Sequence, residues 1–249
     1  MNRLYYRAIP ALAALLLVAA PARSQERGDA LQLFSYGVSP DTRPNVTDGQ
    51  IATSLDPDDW QAAYVRVMEM GIGGSATGDP RPLTMLVAND GDSLYIGVAV
   101  QLPNSSIDNR LTLYFDQAVA GVLDGAPGAP GEYYVSARAN GSFLEDGHWN
   151  GASWTPNPAL AARGIGIRKG TSAAERLYNF EFALPLAKAG DGQNSYLDIE
   201  PGDEIGIFPR VTLNTGAEYY WLDANASPAD PSAPSASGVG GWGQILTLG

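Results

Sequence analysis

In the segment YNFEFALPL, Tyr178, Phe180, Phe182 and Leu184 alternate with Asn179, Glu181 and Ala183. This period-two pattern is that of a strand with one face in a core. Short runs of the same kind, separated by Gly, Pro, Asn and Asp, recur along the chain and predict strands near 63–70, 83–88, 94–100, 110–116, 132–138, 164–169, 177–184, 204–213, 218–222 and 242–248. Beyond residue 24 no stretch of a dozen residues keeps a helical period. The chain therefore reads as all-β, a sandwich of two antiparallel sheets in the manner of a jelly roll or an immunoglobulin domain.

The stretch LTMLVANDGDSLYIGVAV, residues 83–100, carries the most local information. Asp90-Gly91 is a two-residue hairpin signal, since Gly accepts the positive φ that such a turn demands. With those two residues as the loop, Val87 faces Leu94, Met85 faces Ile96 and Leu83 faces Val98 on one wholly apolar face. The opposite face pairs Leu86 with Tyr95 and is mixed. A one-residue slip would oppose Val87 to Tyr95 and mix the faces, so the register is well specified. Further on, Pro209 lacks the N–H of a central-strand residue, which predicts an edge strand or a bulge over EIGIFPRVTL. Residues 227–241, SPADPSAPSASGVGG, read as a loop before the last strand.

The N-terminus changes the picture of where the domain starts. Arg3 and Arg7 precede an apolar run over residues 9–20, and Ala22-Arg23-Ser24 offers small residues for cleavage. Residues 1–24 thus read as an export signal, too short in its apolar part to span a bilayer, which takes about 20 residues. The expected organisation is a signal peptide over 1–24, an extension over 25–45 and a single sandwich over 46–249, secreted or periplasmic, with no transmembrane segment after cleavage. Of the 15 basic residues three lie in the signal, leaving 12 against 27 acidic ones, net −15. That balance argues against nucleic acid as a partner. With no Cys in the chain there are no disulfides and no thiol chemistry.

Enzyme constellations find little support. A single His, His148, would have to serve any Ser-His-Asp triad, and no GxSxG, P-loop or GxGxxG after a strand accompanies it. The segments DGQIATSLDPDDWQAA, LTMLVANDGDSLYIGVAV followed by DNRLTLYFD, YNFEFALPL, PGDEIGIFPRVTL and WGQILTL occur in an order that resembles the family 9 carbohydrate-binding module-like domain of the DOMON-like group. The resemblance covers 46–248. It implies a jelly-roll-like sandwich, sugar held between tryptophans, and structural calcium nearby. Other members of the fold group bind haem or no ligand at all.

A sugar-binding surface needs flat aromatic faces beside polar side chains. Five Trp are available. Trp60 and Trp242 read as core or closure residues. Trp149 and Trp154 sit in the turn-rich stretch EDGHWNGASWTPNP, where hiding both is harder. An exposed Trp forgoes about 5 kcal/mol of burial, taking ~200 Å² at 25 cal/mol per Å². A ligand would explain that, and so would the covering of a sheet edge. In EYYWLDAN, Tyr219 and Trp221 share one side of a strand, with both a core and a binding role open. The carbohydrate candidates are therefore Trp149, Trp154, Tyr219 and Trp221. For calcium, which takes six to eight oxygens, the candidates are Asp90, Asp92 and Asp116, with Asp108 and Asp124 in neighbouring loops. A haem reading would draw on Met68, Met70, His148, Lys169 or Lys188, Met85 reading as core by the hairpin register, although no spacing singles out a pair.

The function this predicts is an exported, non-catalytic carbohydrate-binding sandwich. Its rival is an envelope module whose mixed sheet face meets another protein. Four Asn-x-Ser/Thr sequons, at Asn45, Asn104, Asn140 and Asn225, matter only in a host that glycosylates exported chains.

Overall fold

The structure is a computed structural model, which describes residues 32–51, 60–72, 80–116, 132–149, 153–169, 176–186, 197, 202–221 and 243–247. The expected signal peptide, Trp242, Asp124, Lys188 and Asn225 lie outside these residues. Among the described residues no helix is long and apolar enough to cross a membrane. The thirteen strands seen are β1 (Gln32–Gly37), β2 (Tyr64–Ile72), β3 (Arg81–Asn89), β4 (Ser93–Gln101), β5 (Arg110–Asp116), β6 (Tyr133–Arg138), β7 (Leu144–Trp149), β8 (Trp154–Pro156), β9 (Arg163–Lys169), β10 (Leu177–Pro185), β11 (Glu204–Thr212), β12 (Glu218–Trp221) and β13 (Gly243–Thr247).

They pair in the order β8-β7-β6-β5-β11-β12-β2-β3-β4-β10-β9. The path folds over at the β12–β2 joint, so that β5, β6 and β11 face β3, β4 and β10. A second link is β1, which runs parallel to both β13 and β3. In the core between the layers the predicted alternating residues Leu83, Met85 and Val87, then Ile96 and Val98, then Phe180 and Phe182, pack with Leu111, Leu113, Phe115, Val135, Ile205 and Ile207. All of these are fully buried. Without disulfides, this packing carries the stability.

The structure corrects the sequence reading in four places. First, residues 32–37, expected in an extension ahead of the domain, form β1, and Leu33 is a core residue. Second, the β3–β4 pairing is shifted by two: Asn89 faces Leu94, Val87 faces Ile96 and Met85 faces Val98. The turn spans four residues because the Asp90 carboxylate accepts from the N–H groups of both Asp92 and Ser93, at 2.9 and 2.8 Å. A shift of two preserves the faces, which is why the apolar side was read correctly. Third, β11 is central rather than an edge. Along its length the neighbour changes from β13, ending at Ile207 opposite Gly243, to β12, beginning at Arg210 opposite Tyr220. Phe208 and Pro209 fall in the gap between these two partners, where no strand on that side requires the N–H that Pro lacks. Fourth, the stretch read as turns around Trp149 and Trp154 contains β7 and β8.

The outer face of the β2-β3-β4-β10-β9 layer is covered by the segment ahead of β2. Val46, Ile51 and Trp60 pack on Leu86, Ala88, Tyr95 and Ala183. Trp60 lies flat on Gly97, where a Cβ would come within 3.2 Å of the ring. The segment is clasped by Glu181, a fully buried carboxylate that accepts from the Gly49 N–H at 2.7 Å and from Trp60 Nε1 at 3.3 Å. Asn179 donates to the Gly49 carbonyl from the same strand face. Three sequons also find a local explanation: Asn45, Asn104 and Asn140 each accept through Oδ1 from the N–H two residues on. Each sequon is thus an Asx turn whose hydroxyl residue is placed by the fold.

Candidate functional site

The opposite layer, β8-β7-β6-β5-β11-β12, presents a different outer face. Core residues at odd positions of β5 leave Thr112, Tyr114 and Asp116 on the strand's other face, where they too are buried. Register then places Tyr134 of β6 opposite Tyr114, and Phe208 of β11 on its other side. Their rings are 6.1 and 6.4 Å apart. Phe208 continues to Tyr220 of β12 at 5.5 Å. The row crosses four strands and joins residues far apart in sequence.

At the edge of this row stand the two tryptophans predicted from sequence. Trp149 and Trp154 are the cross-strand pair of the β7–β8 hairpin. Their rings meet edge to face at 5.6 Å and 67°. Trp154 leans over the row, 5.0 Å from Tyr114 and 5.6 Å from Tyr134. Gly147 makes this possible, because a Cβ there would lie 2.4 Å from the Tyr134 ring. Both indoles are only half-buried, whereas Tyr114, Tyr134, Phe208 and Tyr220 are buried beneath and beside them. Contacts of this kind contribute about 0.5–1.5 kcal/mol per aromatic pair beyond burial. The result is two partly open indoles held on a rigid aromatic floor.

Polar groups sit at the margins. The Arg210 guanidinium lies 5.0 Å over the Tyr114 ring, donates to the Tyr114 hydroxyl and approaches Glu218 at 3.7 Å. Glu218 also accepts from the Tyr220 hydroxyl, and Glu145 accepts from the Tyr134 hydroxyl at 3.0 Å. Burial pushes the Tyr134 phenol well above its ordinary range, and the Glu145 charge adds to this. Tyr220 is raised by burial and by its hydrogen bond to Glu218. For Tyr114 burial also raises the pKa, against the lowering effect of Arg210. All three phenols therefore stay neutral donors at any physiological pH. Such a surface can stack the apolar C–H face of a ring and meet its hydroxyls with carboxylate and guanidinium groups.

The other candidate residues fall elsewhere. Tyr219 is 2% exposed and packs in the core, so its face of β12 is the inward one. Trp221 lies two residues on in the same strand, opposite Met70. The residue of β12 that joins the aromatic row is Tyr220, which sequence reasoning missed. The signal was present as parity, but nothing local says which face of a two-sided aromatic strand is inward.

For calcium, Asp90 has its oxygens committed. It accepts from Asp92, Ser93 and the Tyr95 hydroxyl and lies 2.6 Å from Arg43 Nε. Asp92 is exposed in the same turn, and Asp116 is buried at the end of β5 in the other layer. Among the described residues no three His, Cys, Asp or Glu side chains are placed to share a metal ion. Asp90, Asp92 and Asp116 therefore do not form a common calcium site. Met70 and Met85 are core residues, Met68 packs against the core, and His148 Nδ1 is hydrogen-bonded to Asn157 Oδ1 at 2.8 Å.

No protein-family model matches the sequence, and no curated protein sequence is significantly similar to it. Solved structures are similar in fold. A family 9 carbohydrate-binding module from Caldicellulosiruptor kristjanssonii, in complex with glucose, aligns with a TM-score of 0.55 at 15% identity, covering 88% of this chain and 96% of that one. A family 9 module of the same organism in complex with cellotriose aligns with a TM-score of 0.51 at 14% identity, over 88% and 94% of the two chains. At these identities the likeness speaks for the fold and not for the ligand. In fold, this chain is similar to the family 9 carbohydrate-binding modules.

Proposed function

We propose that the protein is an exported, non-catalytic module that binds carbohydrate on the outer face of the β8-β7-β6-β5-β11-β12 layer. The observation that carries this reading is the Trp149–Trp154 pair, half-open to solvent and seated on Tyr114 and Tyr134. A pair with a purely structural role at a sheet edge would gain by closing over its own rings. Holding them open on a stiff floor suits stacking against a sugar ring, with Arg210, Glu145 and Glu218 within reach of its hydroxyls. The sugar complexes of the two fold neighbours support the ligand class.

Affinity should be modest, with Kd between about 10 μM and 1 mM, because few contacts are buried and the ligand is polar. Affinity electrophoresis of the protein through gels containing a panel of polysaccharides tests the reading. Retardation by at least one of them, abolished in Trp154→Ala and Trp149→Ala, is the expected result. No retardation by any polysaccharide, or wild type and both variants migrating alike, would overturn it.

A further inference from the structure

The same outer face carries a second feature beyond the aromatic row. Arg110 of β5 and Arg138 of β6 are directly opposite each other across the strand pair, and both point outward, as their register with Thr112 and Ser136 requires. Like charges in that position disfavour the pairing. Among the described residues neither has a carboxylate within salt-bridge distance. Arg138 is stacked on the Phe143 ring at 4.7 Å, and two carboxylates of this face are engaged by others: Glu218 by Tyr220 and Arg210, Glu145 by Tyr134. On the far side of Arg110 the neighbour is Thr212, whose Oγ1 is buried with no hydrogen-bond partner. Arg210 stands one position further along the same face of β11. Three guanidinium groups are thus gathered on one patch of a chain whose net charge is −12. Two of them oppose each other, and among the described residues no carboxylate pairs with either.

We propose that the carbohydrate bound here is acidic, and that Arg110 and Arg138 receive its oxyanion, a uronate carboxylate or a sulfate ester. This rests on the carbohydrate reading above and adds the charge of the ligand to it. An oxyanion between the two guanidinium forks relieves their repulsion and takes paired, charge-assisted hydrogen bonds. Along β5 and β6, Arg110 and Arg138 are four residues from Tyr114 and Tyr134, about 13 Å at 3.3 Å per residue. A short run of sugar residues of that length spans from the indoles at one end to the arginines at the other. Electrostatics elsewhere on this acidic protein repel a polyanion, so binding of one would be specific to the patch.

The experiment compares retardation in gels containing polygalacturonate, its carboxyl-reduced neutral counterpart, dextran sulfate and dextran. Wild type should bind polygalacturonate or dextran sulfate at least about tenfold more tightly than the matched neutral polymer, the factor a single charge-assisted hydrogen bond supplies. Which of the two anions is preferred identifies carboxylate or sulfate as the group received. The preference should weaken in 0.5 M salt and vanish in the Arg110→Gln, Arg138→Gln double variant. It should fall partly in the corresponding double Lys variant, which keeps the charge without the fork. The melting temperature of the Gln variant should stay the same or rise, since a repulsion is removed; arginines kept for structure would lower it. Equal binding of charged and neutral polymers, or a Gln variant that retains the preference, overturns the acidic ligand while leaving the carbohydrate reading intact. Absence of binding to every one of these polymers overturns the acidic ligand, and the carbohydrate reading falls with it if the wider polysaccharide panel also gives no retardation.

Discussion

Replacing Gly147 by Ala separates the role of the aromatic platform from that of the tryptophans themselves. A Cβ built at this position lies 2.4 Å from Cε1 and 2.8 Å from Cζ of Tyr134, and 2.3 Å from the Thr155 carbonyl oxygen. None of these contacts is tolerable, and the Tyr134 ring has little room to yield, with Tyr114 at 6.1 Å and Trp154 at 5.6 Å. The Thr155 carbonyl belongs to β8, a strand of three residues paired, among the described strands, with β7 alone. The cheapest relief is for β8 to move away from β7, which lifts Trp154 off its floor. Overpacking of this kind costs typically 1–3 kcal/mol. For a chain of this size, each kcal/mol lowers Tm by about 2–4 °C, so the expected drop is roughly 2–12 °C. The near-UV circular dichroism arising from the Trp149–Trp154 contact should weaken, and glycan binding should fall as far as in Trp154→Ala although both indoles remain. Gly91→Ala is the control: its φ is +81° but no atom lies within 4 Å of the added Cβ, so it strains the turn without touching the platform. A Gly147→Ala protein with the melting temperature, near-UV spectrum and binding of wild type would refute the packing argument.

Three further outcomes follow from the same structure. Trp154→Ala should weaken binding at least tenfold, about 1.4 kcal/mol, in titration calorimetry with whichever polysaccharide retards the wild type. Glu181→Gln removes a charged acceptor from the clasp on Gly49 and Trp60 and should lower stability by about 1–3 kcal/mol in urea denaturation, with a red shift of Trp fluorescence as Trp60 loosens. Asp90→Asn bears on acid stability. Burial raises the Asp90 pKa, but the N–H of Asp92, the Tyr95 hydroxyl, the N–H of Ser93 and Arg43 together outweigh it and hold the group below its ordinary value of about 3.9. A carboxyl with a depressed folded pKa stabilises the fold above the unfolded value and loses that contribution as pH falls through the folded one. The variant should melt below wild type at pH 7, with the gap narrowing on acidification below about pH 4. A gap that stays constant down to pH 2 would remove the carboxylate turn from the account of stability.

Some of the site was legible in the residues alone. Trp149 and Trp154 stood out because two indoles in a turn-rich stretch are hard to hide, and the structure leaves both partly open. Tyr114, Tyr134, Phe208, Tyr220 and Arg210 did not stand out. Each is an unremarkable outward residue of its own strand, and they form a surface only because β5, β6, β11 and β12 lie side by side. Arg110 and Arg138 acquire meaning in the same way, through a register that sets two like charges face to face. The acidic turn illustrates the opposite case. Asp90 looked available for a cation, and in the fold it is consumed by its own hairpin and by Arg43 from a distant segment.

What the sequence determined by itself is parity. Alternation assigned the inward residues of β3, β4 and β10, because the side-chain period of two is a property of the extended backbone and needs no neighbour. Strand order, absolute register and the choice of which aromatic face is outward are pairwise properties. They depend on hydrogen bonds and packing between segments distant in the chain, such as Arg210 over Tyr114 or β1 between β13 and β3. Only the tertiary structure could decide that Pro209 lies in a central strand at the handover between two partners, or that Tyr220 rather than Tyr219 joins the aromatic face.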